Sequence, residues 1–243
     1  RESFLLSDLF EKELIILIID KNKLTPDNNF EINSYLPSFA NYGYFIKNDN
    51  KLKYVCPNNQ IIEKFRGKNS IKLQKTKNPV YESYFAKKLY KNYLKTLDHH
   101  LIRFHLLYQV IEYHITELFN ADFSKLLDDY ENDLLTKNNF IDRLNSTRNE
   151  RRNVRKVLKE INPNDSTFEK EMLVNLKRDC NDFLSEFGEE EKSELGDLIY
   201  DTRNLIVHNY REIDDNKINL LNEITFEFEI IINYIIINTT HDS

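Results

Sequence analysis

Arg203 and His208, five positions apart, are the residues best equipped for chemistry in this 243-residue chain. They lie in Asp201-Thr202-Arg203-Asn204-Leu205-Ile206-Val207-His208-Asn209-Tyr210, between two apolar helical patterns. The guanidinium stays charged and its fork matches phosphate oxygens in pairs, whereas an imidazole exchanges a proton near neutral pH. Set on one phosphodiester, these groups suit cleavage of RNA without a metal. The imidazole would activate the ribose 2′-hydroxyl for in-line attack, and guanidinium groups would neutralise charge growing on the phosphoryl oxygens. DNA lacks that hydroxyl and could not react this way.

The spacing alone says little. With eleven arginines and six histidines in the chain, about 0.3 such pairs are expected by chance at one fixed spacing. On an ideal helix, five residues at about 100° each put the two side chains roughly 140° apart. A shared site therefore needs the arginine to wrap back, or the helix to be distorted or to end near this point. Asn204 and Asn209 are suited to such a distortion, because their amides bond to nearby backbone.

At these residues the chain resembles the HEPN superfamily, whose signature is Arg, a polar residue, a short spacer and His. Two further stretches are similar to Apea-like HEPN proteins: Phe104-His105-Leu106-Leu107-Tyr108-Gln109-Val110-Ile111-Glu112-Tyr113, to their first bundle helix, and Asp197-Leu198-Ile199-Tyr200-Asp201-Thr202, to the lead-in to their motif. The likeness covers roughly residues 80 to 240. It implies an up-down helical bundle and a metal-independent endoribonuclease with no cofactor, leaving a 2′,3′-cyclic phosphate and a 5′-hydroxyl. Arg203 would hold the scissile phosphate, His208 would serve as general acid or base, and Asn204 would position them. It further implies a homodimer in which two motifs form one site, and a role as toxin or antiviral effector. Arg203, His208 and Tyr210 also resemble the Arg-x-x-x-x-His-x-Tyr pattern of HEPN toxins whose tyrosine is modified by a nucleotidyltransferase antitoxin. That implies a regulatory partner acting on Tyr210. The competing reading is a non-catalytic HEPN module that dimerises or binds RNA within a defence complex.

The elements that must position these residues are helical. After Pro79, Phe85, Leu89, Tyr93, Leu97, Leu101, Phe104, Tyr108, Ile111, Ile115 and Leu118 recur every three or four residues, predicting one long amphipathic helix. Gln109 and Glu112 lie close to its apolar face, within reach of a motif on a neighbouring helix. Glu112 would orient a histidine, pair with Arg203, or simply be satisfied at the bundle edge. Segments 123–135 and 139–160 read as inserted helices. Arg143, Arg148, Arg151, Arg152, Arg155, Lys156 and Lys159 form the densest positive cluster, which is either an RNA-backbone track, with Arg148, Arg151, Arg152 and Arg155 as its RNA-binding residues, or a solvated helix face. A helix bearing Phe168 to Phe187 should stop at Gly188. The motif helix should run from about Glu190 to Arg211, and a last one should follow Asp214-Asp215-Asn216. Its Ile-rich composition suits a strand, but its three-and-four spacing favours a helix.

The fold expected is thus mainly α, with a helical domain over residues 79–243 and a small α+β region over 1–78. In that region Phe4 to Phe10 reads as a helix, Glu13 to Ile19 as a strand, and Tyr42 to Val55 as a hairpin about Asn48-Asp49-Asn50. A helix from Gln60 to Arg66 and a strand near Ile71 to Gln74 complete it. The net charge of −6 argues against indiscriminate coating of nucleic acid. His99, His100, His105 and His114 lack the three- or four-residue spacing that stacks metal ligands on a helix, so no metal is expected. Cys56 and Cys180 are far apart, which fits a reducing compartment, read as cytoplasm. No apolar run reaches the ~18 residues of a membrane span. The start at Arg1 leaves room for an upstream piece.

Overall fold

The computed structural model describes residues 31–46, 73–76, 78–97, 99–159, 161, 163 and 168–238. The chain divides into two compact units, Arg1–Ile32 and Asn33–Ser243, and the described α-helices belong to the second. Among the described residues that unit is helical and contains no strand: α1 (Leu36–Asn41), α2 (Tyr84–Lys88), α3 (His100–Glu131), α4 (Lys137–Thr147), α5 (Glu150–Lys159), α6 (Phe168–Ser185), α7 (Leu195–His208) and α8 (Asp215–Asn238).

The Ile-rich last helix, α8, is the axis of the core. Ile224, Phe228, Ile230, Ile231, Ile232, Ile235 and Ile236 are all buried. A helix apolar nearly all round must be surrounded, and α8 packs most extensively on α6, then on α3 and α1. The Phe104 and Phe228 rings, on α3 and α8, meet with centroids 5.0 Å apart. Asp214 starts α8 by accepting the Lys217 N–H at 3.0 Å. Gly188, at φ +78°, ends the turn after α6, where the Glu189 N–H returns to the Leu184 carbonyl at 3.2 Å. That left-handed conformation suits glycine.

The helical region departs from expectation in four places. The long helix after Pro79 is divided: a 3₁₀ turn over Pro79–Glu82, α2, a π-helical turn over Leu89–Tyr93, and only then α3. The break is held by Arg103, whose Nη1 donates to the carbonyls of Leu94 at 2.6 Å and Leu97 at 3.0 Å. The helix expected at 123–135 is the continuation of α3, and that expected at 139–160 is two helices parted at Arg148 and Asn149. There Asn149 Oδ1 restarts the chain by accepting the Arg152 N–H at 2.9 Å. The motif helix is shorter than 190–211. Asn181 holds both the N–H and the carbonyl of Lys192 at 2.9 Å, which keeps the preceding residues out of it.

Residues 33–46 and 73–76, expected to belong to a separate N-terminal region, lie in the same unit as the helices. Leu36 and Ala40 join the main core, and the Thr76 hydroxyl donates to the Ile236 carbonyl at 2.5 Å. Tyr42 to Ile46, the first arm of the expected hairpin, is a turn and irregular chain after α1, and residues 73–76 are irregular. The remaining elements expected over 1–78, from Phe4 to Ile19 and from Lys47 to Lys72, lie outside the described residues. None of the described helices is long and apolar enough to cross a membrane.

Candidate functional site

Three helices converge on Arg203. Helix α7 carries it, α3 supplies Tyr108, Gln109 and Glu112, and the first residue of α5, Glu150, supports Tyr108 from behind. The guanidinium lies over the Tyr108 ring, 5.4 Å from its centroid, close enough for a cation–π attraction. Its Nη1 donates to Asn204 Oδ1 at 3.0 Å. Its Nη2 stands 3.7 Å from Glu112 Oε1, a loose ion pair, while Glu112 Oε2 accepts from Gln109 Nε2 at 2.7 Å. Arg203 Nε is buried and has no hydrogen-bond partner among the described residues.

Tyr108 is a floor for the guanidinium and not a proton donor to substrate. It is fully buried, and its hydroxyl donates to Glu150 Oε1 at 3.1 Å. Burial, reinforced by the Glu150 carboxylate, raises its pKa far above the usual phenol range. The sequence pattern marks Tyr108 only as part of an apolar stripe and does not mark Glu150 at all. The signal available is that Tyr108 and Glu112 are four apart, so both face the same neighbour from α3.

His208 is the last residue of α7. It is exposed, and its side chain makes no hydrogen bond to another described residue. The helix stays regular through this point, the Asn209 N–H closing it on the Leu205 carbonyl at 2.8 Å. Regular geometry separates His208 from Arg203 by roughly 140° and about 7.5 Å along the axis. The arginine turns inward onto α3 while the histidine stands at the exposed tip, so a single chain does not gather them on one face. Val207 and Tyr210 are exposed beside it, Tyr210 opening a 3₁₀ turn at 60% exposure.

The arginine cluster divides in two. Arg155 grips Asp197 with Nε and Nη2 at 2.7 and 2.8 Å, and Arg151 pairs with Asp197 and with Asp201, which Lys192 also approaches at 3.2 Å. These pairs bind α5 to the lead-in of the motif helix, where the two backbones nearly touch. A Cβ on Gly196 would come within 2.6 Å of Arg155 Cα. Arg148 and Arg152 are exposed, and Arg152 reaches back to Ser146. Of the four, Arg148 alone has no side-chain partner among the described residues.

Beneath the motif helix lie two more titratable groups. Burial pushes the Cys180 thiol up to about 12, leaving it unreactive at neutral pH. Burial, together with the Asp179 carboxylate, pushes Glu227 up to about 9, and its Oε2 is buried without a hydrogen-bond partner. No cluster of three or more His, Cys, Asp or Glu side chains among the described residues is placed to hold a metal.

The fold and site define a helical-bundle protein with an incompletely satisfied arginine on one helix and an exposed histidine at that helix's end. Comparisons with known protein families, with curated proteins and with solved structures found no match.

Proposed function

We propose that this chain is a metal-independent endoribonuclease of the HEPN type, acting in the cytoplasm as a toxin or antiviral effector and working as a homodimer. The observation that supports it best is the state of Arg203. The structural Arg103 is neutralised by a buried carboxylate at 2.6 Å, whereas Arg203 is part-exposed, has a carboxylate only loosely at Nη2, 3.7 Å away, and keeps an Nε without a partner among the described residues. A phosphate oxygen is the ligand such a fork takes most strongly. His208, unpartnered and exposed, is available for proton transfer, and a second copy would supply the histidine that one chain keeps away from its own arginine.

In this reading Arg203 neutralises charge on the scissile phosphate and Asn204 holds the guanidinium through Nη1. One imidazole removes the 2′-hydroxyl proton and the other protonates the departing 5′-oxygen. Glu112 and Gln109 stand beside the phosphate seat. Tyr210 is accessible to a modifying partner. RNA cleavage in EDTA is the test. The intact chain should leave 2′,3′-cyclic ends, and Arg203→Ala or His208→Ala should each lose about 10²–10³-fold. No activity, or activity indifferent to both changes, defeats the proposal.

The separation of Arg203 and His208 within one chain favours a second reading, a HEPN module that dimerises or binds RNA without cutting it. A chain that binds RNA or pairs with itself, yet never cleaves, is its signature.

A further inference from the structure

The sequence from Pro79 to Leu97 carries four lysines against one glutamate, with five aromatic residues among them, in a chain that is net acidic. In the structure part of this segment forms an exposed shelf. Tyr84, the first residue of α2, is 78% exposed, the most of any large apolar side chain described. Lys88 lays its ammonium over two rings at once, 5.3 Å from the centroid of Tyr84 and 5.6 Å from that of Tyr93. Phe85 stacks on Tyr113 of α3, centroids 5.7 Å apart and planes 15° from parallel, and Tyr113 is itself 38% exposed. Lys91 is exposed on the next turn, and Lys87 is held to Glu82 at 2.6 Å.

Nothing in the core calls for Tyr84 to be where it is, since its ring is open to solvent. Rings with a lysine ammonium laid over them make a poor apolar docking patch, because the lysine would be desolvated. They make a good surface for a partner that offers flat π-faces and negative charge together. Nucleic-acid single strands offer both, and each stacked base contributes about 1–3 kcal/mol. A duplex hides its base faces and does not. The shelf also runs up to the candidate site. Tyr113 is one turn beyond Gln109 on α3, about 6 Å along the axis, and Gln109 holds Glu112 beside Arg203.

We propose that Tyr84, Lys88 and Tyr113 form a stacking shelf for unpaired bases, so that the substrate of the Arg203 site is single-stranded. This rests on the nuclease reading for its substrate but not for its binding. The test is fluorescence anisotropy of the full chain with a single-stranded all-deoxy oligonucleotide, which cannot react, against a duplex RNA of equal length. The single strand should bind in preference. Tyr84→Ala should weaken it about 5- to 150-fold, Tyr84→Phe should restore it, and Lys88→Ala should weaken it and flatten its salt dependence. In RNA cleavage Tyr84→Ala should raise KM and spare kcat. Equal binding of duplex, or a Tyr84→Ala chain that binds normally, overturns the shelf. So does absence of oligonucleotide binding in a chain whose self-association depends on Tyr84, which would make the patch a protein contact. If single strands bind through Tyr84 but no RNA is cut, the nuclease reading falls and the shelf stands. If RNA is cut and Tyr84→Ala leaves KM unchanged, the reverse holds.

Discussion

Two arginines at opposite ends of the same packing problem divide the molecule. Arg103, near the start of α3, is buried with its side chain only 4% exposed. Its Nε donates to Glu229 at 2.7 Å, its Nη2 stands 2.6 Å from the same oxygen, and its Nη1 fills two backbone carbonyls. Arg203, on α7, is 23% exposed, with one amide partner, a carboxylate at 3.7 Å and a bare Nε. The first closes a break in the chain, and although its Nη2 also lacks a well-aligned hydrogen bond, that nitrogen lies 2.6 Å from a buried carboxylate that neutralises it. The second is held in place by Tyr108 and Asn204 and left underfilled. Each has one buried nitrogen without a hydrogen bond, so the difference lies in the counter-charge: a carboxylate in close buried contact at 2.6 Å for Arg103, and a loose part-exposed one at 3.7 Å for Arg203.

The largest expected effect lies at the buried ion pair. Arg103→Ala strands Glu229 in the core and frees the carbonyls of Leu94 and Leu97, at a cost of about 3–5 kcal/mol. Arg203→Ala, part-exposed and loosely paired, should cost about 1 kcal/mol or less. Urea unfolding of both variants decides it, and equal losses would erase the contrast. Activity should rank them the other way per unit of stability. Arg203→Ala should lose about 10²–10³-fold in cleavage at a temperature where it is fully folded.

The acids on α8 extend the comparison. Burial raises both, but at Glu229 the Arg103 guanidinium counters it, while Glu227, two residues away, faces Asp179 and is pushed up to about 9 from an ordinary 4.5. Arg178 is engaged with Asp179 at 2.6 Å, and Glu223 adds a further negative charge. The folded chain therefore holds a proton on Glu227 that the unfolded chain releases above about 4.5. The stability that Glu227 contributes is full below that pH and is lost as the pH rises toward 9. Glu227→Gln should flatten that decline, a difference of about 1–3 kcal/mol across the window. Melting temperatures from about pH 5 to 9 read it, and parallel profiles for the two chains would refute it.

How far the sequence reveals this depends on the range over which the information acts. The Ile-rich α8 is legible as a helix because three-and-four spacing outweighs β-branched propensity when a helix is enclosed on all sides. Gly188 marks its turn because the left-handed region favours glycine. The break before α3 is not legible, since it depends on Arg103 reaching backbone carbonyls that no periodicity announces. The pairing of Arg151 and Arg155 with Asp197 and Asp201 is hidden for the same reason. The charges lie 42 to 50 positions apart, and in the sequence the cluster reads as free positive charge. At the site, Arg203, Asn204, Gln109 and Glu112 come together, but His208 stays apart, as the helical wheel requires when no distortion intervenes.

The smallest expected effect is the one that separates an unused donor from mere loose packing. Glu112 covers the Nη2 side of Arg203 and is itself steadied by Gln109, so a phosphate reaching that edge must displace the carboxylate. Glu112→Gln removes the charge but keeps the shape. Because the pair is part-exposed and long, stability should change by about 0.5 kcal/mol or less. Affinity for inorganic phosphate, read as the shift in melting temperature with phosphate concentration at constant ionic strength, should rise a fewfold, and Arg203→Ala should abolish the response. A weaker phosphate response in Glu112→Gln would mean that the carboxylate orients the guanidinium and does not guard it. The bare Nε would then be a packing accident with no ligand to explain it.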